Sequence, residues 1–411
     1  MSSIPFLKRL FLKKPISLNQ KEENHLARTL SLFDLICVGV GGTIGTGVFV
    51  LCGLIASEDA GAATPISYLI AGFACLFSAA SYGELSSRMP SAGSSYAYTY
   101  STLGEFPAVV AAWMISLEYG ISASAISRSW GDKMNYVLLK FGSNIGFTMS
   151  SYGVSVFGGL LLALCTLLLL LGAETGKTTI NIFTTLKVLL VIFMIVAGFC
   201  FFKVDNFTPF IPYGVSGVFK GATSCFFAFI GRYSIYYSTY TYYICCSDTN
   251  YILLCVCMLG FDEVCCMAAE TANPQVVLPK AVFGTITIVT LLYVLAALSL
   301  VGMQPYLSIN PANGFSEAFT SNNQVAMAHI VSIGEILCLP LVVLVTFLAQ
   351  PRIFFAMAED GLLPKQFAET DRTGNLRQGI IFAGVICSAI AFLVPFTYLE
   401  DMIRFVVYTA N

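Results

Sequence analysis

The chain has 411 residues, of which 57% are hydrophobic and only 11% charged, with a mean hydropathy of +0.79 and a formal net charge of −2. A soluble domain carries about 25% charged residues, so a soluble globular protein is excluded and an all-α polytopic membrane protein is the class that remains. The net charge of −2 says little about partners; the lipid bilayer is the partner that composition implies, and no nucleic-acid partner is expected.

Residues 1–31 are polar and basic (Lys8, Arg9, Lys13, Lys14), with no apolar core before residue 30. No cleavable signal peptide is expected, and the first span serves as the insertion signal. Apolar stretches of about 17 to 25 residues mark spans. They lie near 32–54, 65–87, 107–127, 154–173, 180–202, 215–231 continued by 260–270, 281–302, 330–357 and 379–398. With the N-terminus in the cytoplasm, thirteen Lys and Arg fall inside and five outside, which satisfies the positive-inside rule. The pattern Asn206-Phe-Thr208 then lies outside and makes Asn206 a candidate glycosylation acceptor.

Span 1 contains Gly-Val-Gly-Gly-Thr-Ile-Gly-Thr-Gly-Val-Phe over residues 39–49, five glycines in eleven positions. Each costs a helix about 1 kcal/mol relative to alanine, so the helix is expected to break here. Broken backbone at membrane depth is tolerated where it is buried in protein or lines a cavity, and such breaks hold ligands near the midplane. Freed amides, helped by Thr43 and Thr46, suit an anionic group. The competing reading is close helix packing through small residues.

Other polar residues stand inside apolar stretches. Glu118 lies in span 3, within Trp-Met-Ile-Ser-Leu-Glu-Tyr-Gly, and Lys187 lies seven residues into span 5. A lysine at that depth costs about 2.5 to 3.5 kcal/mol on insertion scales, so it needs a partner or a proton-linked role unless it snorkels to the interface. For Glu118 the bland alternative is a structural hydrogen bond between helices. Asp262 and Glu263 begin Phe-Asp-Glu-Val, where Asp262 is deep enough to organise a broken helix. Glu270, at the inner end of span 6, suits gating or capping. The run Gln350–Pro364 ends span 8 and reads as an amphipathic segment at the inner interface.

Several features argue against chemistry. His25 and His329 are isolated, and no metal-ligand spacing or cofactor fingerprint is present. The fourteen cysteines include no C-x-x-C pair and read as buried thiols. Without a nucleophile–base pair, an integral membrane enzyme is disfavoured.

Several strings carry a family resemblance: Gly-Thr-Ile-Gly-Thr-Gly-Val-Phe (42–49), Ser-Tyr-Gly-Glu-Leu through Arg-Met-Pro-Ser-Ala-Gly-Ser-Ser-Tyr (81–96), Phe-Asp-Glu-Val with Asn273-Pro274, and Ala-Met-Ala-Glu-Asp-Gly-Leu-Leu-Pro (356–364). Together they resemble the cationic amino acid transporters of the amino acid–polyamine–organocation superfamily. The resemblance covers roughly residues 25 to 402 and implies a LeuT-like fold, a five-plus-five inverted repeat with spans 1 and 6 broken opposite each other.

It further implies that backbone around Thr43, Ile44, Gly45, Thr46 and Gly47 holds the substrate's carboxylate and amino groups. Ala228, Phe229 and Ile230 would face it from span 6, and Glu118 would lie near the substrate's side-chain end. Lys187 matches a span 5 lysine linked to proton coupling in bacterial relatives. Pro340 stands where hydroxyl residues are common, a departure from the pattern in span 8. The light chains that pair through a disulfide with a heavy chain use a cysteine after span 3. Residues 128–153 contain none, so no such partner is expected.

The chain departs from the pattern twice. Residues 232–259 insert 28 residues with seven tyrosines and four cysteines, and removing them with one glycine restores Cys-Phe-Phe-Ala-Phe-Ile-Gly-Phe-Asp-Glu-Val. The insert reads as a translated intron, the alternative being a genuine lineage-specific insertion; transcript reads crossing codons 231 and 261 with the insert present would remove the intron reading. After Leu399-Glu-Asp-Met-Ile403 the family pattern continues into span 10, whereas residues 404–411 end the chain. The expected organisation is a cytoplasmic segment 1–31, a first repeat 32–202, a second repeat 203–403 lacking its last span, and an atypical end 404–411. The expected function is alternating-access transport of arginine, lysine and ornithine across the plasma membrane, with a proton link if Lys187 titrates. A neutral amino acid permease and a non-transporting truncated isoform are the alternatives.

Overall fold

The computed structural model describes residues 12–15, 28–45, 47–140, 154–171, 173–229, 259–311, 314–371, 374–395 and 398–399; side chains at 50, 132–133, 135–140, 173–175, 227–229 and 259–261 stand outside this description. Residues 232–258 of the insert and residues 400–411 therefore lie outside the described residues.

Helix α1 (Leu32–Thr43) starts where Ser31 and Asp34 form a reciprocal capping box, and it stops at Ile44, whose backbone is extended. Helix α2 (Gly47–Asp59) resumes at a 48° bend from α1, through two π-helical turns. The glycine run thus divides: Gly39, Gly41 and Gly42 stay helical, and the break falls at residues 44–46.

The remaining helices are α3 (Thr64–Arg88), α4 (Ser95–Thr102), α5 (Glu105–Lys140), α6 (Val156–Leu170), α7 (Ala173–Phe199), α8 (Gly214–Phe229), α9 (Leu259–Cys266), α10 (Pro274–Met303), α11 (Gly314–Ser321), α12 (Val325–Glu359) and α13 (Arg377–Leu393). Pro65 and Pro274 each open a helix at its first turn, where the missing N–H costs nothing. Among the described residues, five helical stretches are long and apolar enough to cross a membrane, and the bent α1–α2 pair makes a sixth. Helices α6 and α13, expected as spans 4 and 9, are apolar but shorter, at 15 and 17 residues. Helix α13 ends at Leu393 because Val394, which precedes Pro395, is extended.

Two sets of helices pack around α1. In one, α3 lies against α10 and α8, and α10 lies against α1; in the other, α5 packs on α12 and α6, and α13 on α6 and α5. Helix α7 touches α1, α10, α12 and α6 and so bridges the sets. The outside of the bundle is apolar: Leu160, Leu164, Leu167 and Leu171 form an exposed stripe along α6 at the three-and-four spacing of one helix face. In water such a stripe would be a liability, and a bilayer covers it.

One expectation fails here. The segment after Gln350 is not an amphipathic interfacial helix. Helix α12 runs unbroken to Glu359, and residues 350–358 are buried, because Arg352 is directed into the protein rather than toward a headgroup layer.

Candidate functional site

A helix end leaves up to four carbonyls without intrahelical partners, and in a membrane interior each must find a donor. At the end of α1 side chains from two other helices supply them, and a third helix reaches the first residue of α2. Lys187 of α7, fully buried, donates from Nζ to the carbonyls of Gly41 (2.8 Å) and Ile44 (2.7 Å). Tyr293 of α10 donates to the Thr43 carbonyl at 2.8 Å, and Tyr68 of α3 to that of Gly47 at 2.6 Å. The two rings meet edge to face at 5.3 Å. Thr184 bonds the Cys37 carbonyl at 3.0 Å, and Thr43 closes back on Gly39 at 2.7 Å.

The placement of Lys187 follows from these bonds. A cation at a helix C-terminus is favoured by the helix dipole, and hydrogen bonds from a charged donor contribute about 1.5–3 kcal/mol each. Two of them offset part of the cost of the buried ammonium. The snorkelling alternative does not occur.

Gly41 and Gly42 are glycine because other side chains need the space. A β-carbon at Gly41 would stand 2.5 Å from Thr184 Oγ1, and one at Gly42 would overlap the carboxylate of Glu263. Close packing and the helix break are therefore both uses of the run, on different glycines.

Asp262 is buried at the start of α9. Ser94 and Ser95 donate to its Oδ1 at 2.6 and 2.9 Å, and Tyr119 of α5 donates to Oδ2 at 2.7 Å. Tyr82 of α3 joins through Ser95 at 2.8 Å. One carboxylate thus ties α9 to α4 and α5, and through Tyr82 to α3. Ser94 holds a φ of 40°, a conformation that costs about 1–3 kcal/mol in a non-glycine residue; its bond to Asp262 helps to fix it there.

Toward the face that carries the N-terminus, Glu270 meets Arg352 of α12 in a two-pronged pair, with Nε to Oε1 at 2.8 Å and Nη2 to Oε2 at 2.9 Å. Arg352 also donates to the Leu348 carbonyl. Beside this pair Leu30 lies parallel to Thr271, donating to the Glu270 carbonyl at 3.0 Å and accepting from Ala272 at 3.1 Å. A cleft of about 40 Å³ opens between Asp34, Lys177 and Asn181 on one wall and Glu270 and Arg352 on another. Lys177 pairs with Asp34 at 3.1 Å and Asn181 donates to it at 2.6 Å. Nearer that surface Lys14 pairs with Asp360 at 2.5 Å, and Tyr96 donates to the same carboxylate at 2.7 Å. Burial, together with the Asp360 charge, pushes the Tyr96 hydroxyl well above its ordinary range and keeps it a donor.

Of the residues expected from sequence, Thr43, Ile44, Gly45 and Gly47 form the break, with Lys187 bonded to it. Thr46 and Ile230 lie outside the described residues, as do the side chains of Ala228 and Phe229. Glu118 is buried in α5, one residue before Tyr119. Asp262 is held by Ser94, Ser95 and Tyr119, and Glu270 by Arg352. Asn206, half-buried, donates from Nδ2 to the Gly302 carbonyl at 2.7 Å. Several residues of the site carry no signal in the sequence: Arg352 lies in a run that reads as interfacial, Glu263 stands beside the more prominent Asp262, and Tyr68, Tyr119 and Tyr293 read as aromatics of apolar helices. No group of three or more potential metal ligands occurs among the described residues.

Comparison with known proteins gives the chain a family and a fold. The family described as amino acid permease matches residues 34–410. The methylthioribose transporter of Bacillus subtilis is 34% identical over 391 residues, covering 92% of this chain and 78% of the relative. The vacuolar cationic amino acid transporter 4 of Arabidopsis thaliana is 35% identical over 393 residues, covering 92% of this chain; the chain spans only 61% of that relative's length. Among solved structures, MhsT in complex with L-phenylalanine superposes with a TM-score of 0.61 at 15% identity, over 93% of this chain and 87% of that one. That likeness is one of fold, the LeuT-like fold. Family and fold are those of membrane transporters rather than enzymes, and this chain belongs to the amino acid permease family, within the amino acid–polyamine–organocation superfamily.

Proposed function

We propose that this chain moves cationic L-amino acids, such as arginine, lysine and ornithine, by alternating access around the break in span 1. The observation that carries the reading is the division of labour at that break. The carbonyl end of α1 is satisfied by Lys187, Tyr293 and other side chains, whereas the amide end of α2 begins at Gly47 on the other side of the gap. A helix N-terminus attracts a carboxylate, so the substrate's carboxylate docks at Gly45–Gly47 and its amino group turns to the backbone of Thr43 and Ile44. By the family resemblance the facing contacts are assigned to Ala228, Phe229 and Ile230, whose side chains lie outside the described residues. Glu118 receives the cationic side chain.

In this reading the N-terminal face is cytoplasmic, which the Lys and Arg count supports, and the membrane is the plasma membrane. Asp262 and the Glu270–Arg352 pair are the layers that keep that face shut while the site is loaded from the other side, where Asn206 is glycosylated. Lys187 gives up and regains a proton during the cycle, linking substrate flux to pH. The likeness to cationic amino acid transporters supports the substrate class.

A neutral amino acid permease is the second reading, favoured by relatives such as the branched-chain amino acid permease BcaP of Bacillus subtilis, 32% identical over 393 residues. Uptake of radiolabelled arginine and leucine by cells or liposomes carrying the chain separates the two. Saturable arginine uptake is expected; leucine uptake without arginine uptake favours the neutral permease, and no uptake of either makes the chain a non-transporting isoform.

A further inference from the structure

Glu263 follows Asp262 in α9, and none of the roles above uses it. Its side chain is buried, 2% exposed. The carboxylate lies on the backbone of Gly42, in the last turn of α1. Thr346 of α12 bonds to it, yet Oε2 meets no hydrogen-bond partner among the described residues. The same turn carries the carbonyls of Gly41 and Ile44 that Lys187 holds, which use two of an ammonium's three donors. A buried carboxylate and a buried ammonium therefore flank residues 41–44.

The neighbours of Glu263 leave Lys187 as the opposite charge it faces among the described residues. Asp262, on its own helix, is already bonded by Ser94, Ser95 and Tyr119. From α5 the titratable neighbour is the Tyr119 hydroxyl. From α12 come the neutral Thr346 and, beside Lys187, the thiol of Cys338. Tyr293 of α10 is engaged with the Thr43 carbonyl. Either charge alone would be costly in the interior, and the carboxylate also sits at the negative end of the α1 dipole.

We propose that Glu263 is the counter-charge of Lys187, and that its carboxylate sets the pH range over which Lys187 keeps its proton and transport proceeds. Glu263 is thus a positioning residue that acts through Lys187. The inference rests on Lys187 being the titrating group of the cycle.

The test is a pH profile of uptake in liposomes, using whichever of radiolabelled arginine or leucine the full chain takes up. An opposite charge stabilises the charged form of its neighbour, so Glu263→Gln moves the midpoint to lower pH, by about one unit. Glu263→Asp, which keeps a carboxylate, stays closer to the parent. A midpoint unchanged in Glu263→Gln, while Lys187→Met abolishes the pH dependence, overturns this proposal alone. A pH dependence that survives Lys187→Met overturns the proton-linked reading and this proposal with it. Thermal melting of detergent-solubilised protein gives a readout independent of transport. Each single variant leaves one buried charge uncompensated, so the double variant Lys187→Met/Glu263→Gln is expected to melt above both. Melting losses that simply add overturn the pairing.

Discussion

Replacing Arg352 by methionine removes one partner of the Glu270 pair while keeping most of the side-chain volume. Both side chains are about one-tenth exposed and the two-pronged geometry is complete, so the lost pairing is not a surface contact screened by water. Removing one member of such a pair costs about 3–5 kcal/mol, because the carboxylate left behind stays buried. If the pair holds the N-terminal face shut, the cost falls on the shut state. About 3 kcal/mol is roughly a hundredfold change in the ratio of shut to open. Cys37 reports it. This residue is 5% exposed on α1, between the cleft residues Asp34 and Val38. Its labelling by a membrane-impermeant thiol reagent, followed by mass spectrometry from the N-terminal face, is slow in the parent. It is expected to rise at least tenfold in Arg352→Met and to fall back in part in Glu270→Gln/Arg352→Met, where no charge is stranded. Labelling of Cys37 at the parent rate in Arg352→Met, with an unchanged melting temperature, would refute the reasoning.

Three further outcomes follow from the same geometry. Lys187→Met is expected to remove the pH dependence of uptake, read as initial rate between pH 5 and 8; an unchanged profile removes Lys187 from the proton link. Gly42→Ala pushes a methyl group into the Glu263 carboxylate and is expected to cost about 1–3 kcal/mol, read as a lowered melting temperature, whereas Gly284→Ala, which meets only Ile36 at 3.4 Å, leaves melting near the parent. Glu118→Gln is expected to lower arginine uptake at least tenfold relative to leucine uptake, and equal losses of both would deny Glu118 a role in recognising the cationic side chain.

The glycine run was legible as a break because glycine weakens a helix, although Gly39, Gly41 and Gly42 stay helical and the break falls just after them. Lys187 was legible as partnered because an isolated ammonium is costly in a bilayer. The partners themselves were not. Gly41 and Ile44 offer backbone carbonyls, which carry no signal in a residue pattern, and they lie more than 140 residues from Lys187. Arg352 was misread for a related reason. Its string sets charges at both ends of an apolar run after span 8, and only the approach of Glu270, 82 residues away, makes Arg352 a buried residue. Tyr293 and Tyr68 read as ordinary aromatics of apolar helices. Their hydroxyls become informative once α3 and α10 lie against each other beside the break. Local chemistry was thus readable along the chain, and what escaped was pairing across it.

A competition assay with decarboxylated arginine tests whether the break in span 1 is a clamp for an amino acid. Arginine and agmatine share the guanidinium group, and agmatine lacks the carboxylate assigned to the amides of Gly45–Gly47. Saturable uptake of radiolabelled arginine should be blocked by excess unlabelled arginine, lysine or ornithine and left nearly untouched by agmatine at the same concentration. Agmatine competing as well as arginine would contradict the clamp, since the break would then hold no carboxylate.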